Sequence, residues 1–205
     1  MPNPLQQCSM CSGTTTNLCG TCKSAAYCTK ACQKADWPVH KLLCTSFATF
    51  TTAPSPTHRL GILFPETSFT PRLIWVDCPL MHTDDDLPWE SATCPELGFN
   101  PARAVNICAN ALRKRWRKDK LGVYYNDDCY VDQTGGLNLC VPAVTRGKSL
   151  HPWGGSLLVM RLPGLEVDPG KFVDVQMVDL RDAVDMFTTY PARRVNDMEG
   201  IARPV

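Results

Sequence analysis

The sequence predicts two folding units, a small metal-stabilised module on the N-terminal side and an α+β domain behind it. Seven of the twelve cysteines fall within the first 44 of 205 residues, in regularly spaced pairs that are typical of metal ligands. Residues 45–58 are rich in Thr, Ser and Pro and contain no acidic residue, lysine or arginine, as in an extended linker. The remaining sequence mixes strand-like and helix-like segments without strict alternation. We therefore expect a finger over residues 1–44, a linker over 45–58 and a domain over 59–205.

The overall charge is close to zero, with 21 basic and 20 acidic residues and a pI near 7.5. This balance provides no whole-molecule attraction for nucleic acid or for an acidic membrane surface. The N-terminal residues lack the basic and apolar regions of a signal peptide, and no apolar run is long enough to span a membrane. We expect an intracellular protein, nuclear or cytoplasmic and not secreted, whose thiols are kept reduced.

Eight potential zinc ligands form four local pairs. Two Cys-x2-Cys pairs precede a Cys-x3-Cys pair and a His-x3-Cys pair: Cys8 and Cys11, Cys19 and Cys22, Cys28 and Cys32, His40 and Cys44. A two-residue gap places both thiolates on one tight turn, and a three-residue gap places both ligands on one face of a helix. Eight ligands suit two tetrahedral zinc ions, and sequential or crossed pairing satisfies this count equally well. Free thiols or disulfides would leave His40 and the regular gaps unexplained.

Besides the eight ligands, the stretch from Cys8 to Cys44 contains Tyr27-Cys28, Cys32-Gln33, Trp37 and His40-Lys41. With the ligand spacing, these residues make the stretch, which is under a fifth of the chain, resemble the MYND-type zinc finger. The resemblance implies two cross-braced zinc ions, one held by Cys8, Cys11, Cys28 and Cys32 and the other by Cys19, Cys22, His40 and Cys44. Two complete sets leave no open coordination position, so we expect structural rather than catalytic zinc. Residues 64–79 and 157–190 resemble the uncharacterised tails of fungal MYND proteins, which implies no chemistry.

Gln33 and Trp37 lie four residues apart and therefore on one helical face, beside the metal ligands. An aromatic ring next to an amide is suited to docking a peptide. In MYND fingers the matching residues contribute to a shallow groove for short proline-containing peptides, so the resemblance implies this role for Gln33 and Trp37. The alternative is that Trp37 caps the small core of the finger.

The domain expected over residues 59–205 contains short apolar segments bounded by Pro, Gly and Asp, which is typical of strands. We expect strands at residues 59–64, 72–77, 122–126, 128–132, 137–141, 157–161 and 173–178. Asn100-Pro101 is a typical helix start, and apolar residues spaced by three and four predict a helix to about residue 118. A last helix is expected around residues 180–187. This mixture favours an α+β domain with a mixed or antiparallel sheet.

A basic run extends from Arg113 to Lys120, at the end of the predicted helix, with six basic residues against one acid. Its functional interpretations are a nucleic-acid contact, a nuclear localisation signal or a docking surface for an acidic partner. The alternative is a solvated helix face, or internal pairing with the acidic run at residues 84–86. A third metal site built from Cys78, His82 and Cys94 has suitable ligand types, but its gaps match no compact motif.

Common enzyme motifs are absent from the sequence. Pro142 stands where a phosphate-binding loop ending in Gly147-Lys148-Ser149 needs its first glycine, and the MYND-containing SET methyltransferases carry SET sequence ahead of their finger. We therefore expect a non-enzymatic adaptor that recognises a proline-containing segment of a protein partner, as a subunit or regulator of a larger complex. Two alternatives stay open: a small enzyme with its active site in residues 59–205 and the finger as a tether, and a nucleic-acid-associated factor that uses Arg113 to Lys120.

Overall fold

The cysteine-rich segment folds into a hairpin followed by two helices. The computed structural model describes residues 4–82, 89–97, 103–126, 135–164 and 171–190. The hairpin pairs strands β1 (Gln6–Gln7) and β2 (Thr14–Thr15), and the helices are α1 (Lys30–His40) and α2 (Cys44–Thr49). The predicted finger with short helices is confirmed.

Helix α1 begins at a threonine cap and buries one face. The Thr29 hydroxyl accepts a hydrogen bond from the backbone N–H of Cys32 at 3.1 Å, which satisfies a donor that the first helical turn leaves free. Asp36, Val39 and His40 are buried on the inner side of the helix. Its other side faces solvent and carries the peptide-binding residues expected from the sequence.

Five strands of the remaining chain form one antiparallel sheet. They are β3 (His58–Phe64), β4 (Arg72–Asp77), β7 (Arg103–Asn110), β8 (Arg115–Tyr125) and β9 (Leu157–Leu162). Their order across the sheet is β4-β3-β9-β8-β7. A separate two-stranded antiparallel sheet pairs β5 (Leu80–Met81) with β6 (Trp89–Glu90). The expected α+β architecture with an antiparallel sheet is confirmed.

Helices α3 (Cys140–Thr145) and α4 (Met177–Thr189) complete the fold. At the start of α4, the Asp179 carboxylate accepts a hydrogen bond from the backbone N–H of Gln176 at 2.6 Å. This helix contacts α1 of the finger, α3, β7 and β9. It therefore lies between the finger and the sheet and touches both.

One hydrophobic cluster continues from the finger through α4 into the sheet. Its members include Tyr27, Val39 and Leu43 of the finger, Ile62, Leu121 and Val159 of the sheet, and Leu180 and Phe187 of α4. Burial of apolar surface is the main favourable term in folding, so these elements stabilise one another. The finger is therefore packed onto the rest of the protein.

The segment expected to be an extended linker, residues 45–58, is partly helical. Helix α2 occupies its first residues, and the ring of Phe50 lies 6.0 Å from that of Trp75 on β4. Phe47 is likewise half-buried against the shared cluster. These aromatic contacts hold the segment to the sheet. The division of the chain at residues 44 and 58 stays a prediction.

The helix predicted from Asn100 to about residue 118 is wrong. Within that range the described residues form β7 and the first part of β8, joined by a short 3-10 turn at Ala111–Arg113. Alternate residues of β8 are buried, but the first of them are Arg115, Arg117 and Asp119. A strand is recognised by apolar residues at every second position, and charged residues at these inward positions remove that pattern. The helical spacing of the apolar residues therefore led to the prediction of a helix.

The other elements agree in part with the sequence. The strands expected at 59–64, 72–77, 122–126 and 157–161 overlap β3, β4, β8 and β9, and the last helix is α4. The strand expected at 137–141 is wrong, because α3 begins at Cys140. The strand expected at 173–178 is wrong as well, because only Val173 forms an isolated bridge before α4 begins. The strand expected at 128–132 lies outside the described residues.

Candidate metal centres and peptide groove

The first metal site joins the turn of the β1–β2 hairpin to the start of α1. Its four ligands are Cys8, Cys11, Cys28 and Cys32, whose sulfur atoms all lie within 4.8 Å of one another. The Sγ atoms of Cys11 and Cys28 are 3.6 Å apart, and those of Cys28 and Cys32 are 3.7 Å apart. A backbone hydrogen bond of 2.7 Å from Cys8 N–H to Gly13 carbonyl closes the hairpin turn.

The second metal site joins the end of α1 to the start of α2. Its ligands are Cys19, Cys22, His40 and Cys44, and all four are buried. Cys19 Sγ lies 3.8 Å from Cys44 Sγ, and Cys22 Sγ lies 3.9 Å from His40 Nε2. The structure therefore brings together the two crossed ligand sets that the resemblance implied.

Both sites fit zinc. A tetrahedral ion with Zn–S bonds of about 2.3 Å separates its sulfur ligands by about 3.8 Å, close to the 3.6–3.8 Å observed. Four cysteines, or three cysteines with one histidine, are ligand sets of structural zinc sites. The expected cofactor, two zinc ions per chain, is confirmed.

The thiols of both sites need a cation to ionise together. Burial raises the pKa of Cys22 to about 12, and hydrogen bonds with the Cys11 and Cys32 thiols raise the pKa of Cys28 to about 12. Zinc binds the thiolate and not the thiol, so it displaces these protons and offsets the repulsion between the sulfur atoms. Burial also lowers the pKa of His40, which favours the neutral imidazole that a metal needs.

A chain of hydrogen bonds behind His40 was not foreseen from the sequence. Tyr27 donates its hydroxyl to Asp36 Oδ2 at 2.5 Å and lies 2.8 Å from His40 Nδ1. Asp36 Oδ1 in turn accepts from Arg181 Nε of α4 at 2.7 Å. With Nε2 directed at the metal site, the proton on Nδ1 points to the tyrosine oxygen, which holds the ring in the ligating orientation. Only the spacing of Asp36 and His40, four apart on one helix, hinted at this arrangement.

Gln33 and Trp37 lie on the exposed side of α1, in a shallow cavity of about 250 Å³ that Lys30 and Lys34 also line. Trp37 is 51% exposed, and its ring centroid lies 5.9 Å from that of His40. The tryptophan ring therefore packs against a zinc ligand, while about half of its surface faces solvent. The two residues share a face, as their spacing predicted.

The basic run from Arg113 to Lys120 lies at the β7–β8 turn and on β8, and its arginines are turned inward. Arg115 and Arg117 are buried and both bind Asp182 of α4; Arg117 also binds Asp179 at 2.6 Å. Burial opposes a charged guanidinium, but these carboxylates outweigh it and raise the pKa of Arg117. The expectation of a solvated helix face is wrong.

The neighbouring Arg113 also faces α4 and binds Asp185 at 2.7 Å. Burial would raise the pKa of Asp185, but its hydrogen bond with Arg113 and the charge of Arg181 hold it below the usual value. Arginines already paired with internal carboxylates are poorly placed to bind phosphates, so the nucleic-acid alternative loses its main support. The acidic run at residues 84–86 lies outside the described residues.

The third metal site considered from the sequence is not formed among the described residues. The two ligand groups found there are those of the finger, and neither includes Cys78, His82 or Cys94. Burial raises the pKa of Cys78 to about 12 and that of Cys94 to about 11. Cys140 is also buried, with a pKa raised to about 12. These thiols are protonated core residues.

Comparisons with known proteins match the finger. The family described as MYND finger matches residues 8–44. Ubiquitin carboxyl-terminal hydrolase 19 of Arabidopsis thaliana is 41% identical over 70 residues, which is 34% of this chain and 10% of that protein. N-lysine methyltransferase SMYD2 is 54% identical in Rattus norvegicus and 52% in Homo sapiens, over 44 residues that make up 20% of this chain.

The chain spans about a tenth of the length of these curated relatives. No solved structure matches it. Among the described residues, no helix combines the length and the apolar character that a membrane crossing requires.

Proposed function

Because residues 8–44 form a MYND finger, a module that generally mediates protein–protein interactions, we propose that this protein is an adaptor that recognises a proline-containing segment of a protein partner. Gln33 and Trp37 contact that segment, and the protein serves as a subunit or regulator of a larger complex. The finger acts by recognition rather than chemistry, since each zinc has four protein ligands and no position for substrate. We place the protein in the nucleus or cytoplasm, where thiols stay reduced.

The exposure of Trp37 is the observation that supports this proposal best. A tryptophan that only capped the core of the finger would be largely buried, whereas Trp37 is 51% exposed. Proline-rich segments are preorganised in an extended helix and dock on exposed aromatic rings, while a nearby polar side chain binds their backbone carbonyls. Trp37 and Gln33 provide these two contacts on neighbouring turns of one helix.

The rigidity of α1 also supports peptide binding. Cys32 near its start belongs to the first zinc site, and His40 at its end belongs to the second. A helix held at both ends loses little conformational freedom when a ligand binds, so less of the binding free energy is lost to ordering. The cavity between these two points contains Gln33 and Trp37.

The proposal is tested by affinity capture with partners identified by mass spectrometry, comparing the wild type with a Gln33→Ala/Trp37→Ala variant. Phe69→Ala is the matched control, because Phe69 is an aromatic residue outside the finger that is 65% exposed. Elemental mass spectrometry establishes that each variant holds two zinc ions. Partners with proline-containing segments are expected to be lost from the double variant alone. An unchanged set of partners would contradict the proposal and make the finger a purely structural unit.

A further inference from the structure

The shallow cavity that Gln33 and Trp37 line on α1, called the groove from here on, is positively charged. Of its four lining residues, Lys30 and Lys34 are basic, Gln33 and Trp37 are neutral, and none is acidic. Both lysines are exposed, and neither takes part in an ion pair within the described part of the chain. The groove therefore presents two charges that the protein does not neutralise by direct contact there.

The one acidic residue of α1 faces away from these lysines. Asp36 is 1% exposed and binds Arg181 of α4 at 2.6 Å. The first turn of α1 contains no acidic residue, and its first residue is Lys30. A cation at this end of a helix is opposed by the helix dipole, which favours negative charge there. An acidic group beside Lys30 would relieve this unfavourable arrangement.

We infer that the proline-containing segment bound by this groove carries acidic residues on one side of its proline. The inference rests on the proposed function and specifies the chemistry of the partner. With the proline on Trp37, acidic side chains reach Lys34 and then Lys30, which lie progressively nearer the start of α1. The partner is thus an acidic, proline-containing peptide segment.

The spacing of the two lysines predicts the spacing of the acidic residues. Lys30 and Lys34 are four residues apart, so they are separated by about 6 Å along the helix axis. Two residues of an extended proline-type helix span about 6.2 Å. Trp37 lies three residues beyond Lys34 and seven beyond Lys30, or about 4.5 and 10.5 Å along the axis, and the first and third residues of such a peptide lie about 3.1 and 9.3 Å from its proline. We therefore expect acidic residues at the first and third positions from the proline.

Synthetic peptides test this inference directly. Three labelled peptides share one proline-containing sequence: the first has Glu at the first and third positions before the proline, the second has Glu at the same positions after it, and the third has Gln at all four. Fluorescence anisotropy measures their binding to the full chain. We expect one of the two acidic peptides to bind roughly two- to tenfold more tightly than the Gln peptide, as two exposed ion pairs allow. Added salt should remove this advantage.

Charge-removing variants show whether the lysines cause the difference. Lys30→Gln/Lys34→Gln is expected to reduce the affinity for the acidic peptide to that of the Gln peptide, whose own binding stays unchanged. Lys41→Gln/Lys148→Gln is the matched control, because it removes two exposed lysines outside the groove. This control should keep the preference for the acidic peptide.

The possible failures are distinguishable. Equal binding of the Glu and Gln peptides would overturn the acidic preference and leave proline recognition standing. The proposed function itself would be contradicted if none of the peptides bound, or if the Trp37→Ala variant bound them as tightly as the wild type. A Lys30→Gln/Lys34→Gln variant that held fewer than two zinc ions would show that the lysines serve the zinc–thiolate sites instead, and this result would also overturn the inference.

Discussion

Tyr27 connects a metal ligand to a buried ion pair. Its hydroxyl lies between His40 Nδ1 and Asp36 Oδ2, and burial together with the Asp36 charge raises its pKa, so it stays a neutral donor. The aspartate is positioned in turn by Arg181 of α4. At the scale of single residues, the second zinc site thus includes three side chains that do not touch the metal, and one of them lies outside the finger.

Replacing Tyr27→Phe is expected to weaken zinc binding at the second site about 10- to 100-fold, because partners that orient a ligating histidine contribute this much. The first site has no contact with this hydroxyl and should keep its zinc. Competition with a chromophoric chelator measures the two affinities. Tyr124→Phe, the same change in the other hydrophobic cluster, is the control. Equal zinc affinities in both variants would show that packing alone orients His40.

Strand β8 and helix α4 are joined by an extensive network of charges. Five arginines are balanced by five aspartates, so the network has no formal net charge: Arg113, Arg115, Arg117, Arg161 and Arg181 with Asp36, Asp119, Asp179, Asp182 and Asp185. Asp182 and Asp185 are both central to it, since each binds two arginines and the amide of Asn110. At the scale of elements, charge pairing specifies how α4 lies on the sheet.

The variant Asp182→Ala is expected to lower the free energy of unfolding by about 3–5 kcal/mol, because the buried Arg115 loses the carboxylate that it binds and Arg117 loses one of its three. Urea denaturation followed by circular dichroism measures this change. Glu96→Ala is the control: Glu96 pairs with Arg72 at 3.5 Å on the surface, and such a pair contributes about 1 kcal/mol or less. A loss below about 1 kcal/mol for Asp182→Ala would mean that the arginines find other partners or water.

The finger and the sheet behave as parts of one packed structure. Their apolar side chains share one cluster, and α4 also makes polar contacts with the finger. Arg181 binds Asp36, and the backbone N–H of Met177 donates to Ser24 Oγ at 3.0 Å. At the scale of the whole molecule, zinc binding should therefore stabilise elements far from the metal as well as the finger.

The variant Cys19→Ser tests this coupling. It should hold one zinc ion per chain, and amide hydrogens of α4 should exchange about tenfold faster or more, because its contacts with the finger are lost. Elemental mass spectrometry and hydrogen exchange measure the two effects. Cys78→Ser, the same change at a buried cysteine outside both sites, should keep two zinc ions and the α4 protection. Unchanged α4 exchange in Cys19→Ser would show that the finger folds independently.

The sequence by itself determined the metal ligands, because their spacing is local. Cys8 and Cys11 lie three positions apart, and His40 and Cys44 lie four apart. Ligands at these separations can bind one metal ion from a short stretch of chain, so the sequence alone identifies such pairs. The crossed pairing did not follow from the spacing and came from the family resemblance. The shared face of Gln33 and Trp37 followed from the helical period, and strands with apolar inward faces, such as β3 and β9, were recognisable in the same way.

The tertiary structure alone decided the features that depend on distant partners. Arg115 and Arg117 can be buried in a strand only because carboxylates of α4, more than 60 residues later, neutralise them. Likewise, an aspartate is usually exposed, and Asp36 is buried only because it pairs with Arg181. A charge is buried when a partner from elsewhere in the fold offsets its desolvation, and local sequence does not contain that partner.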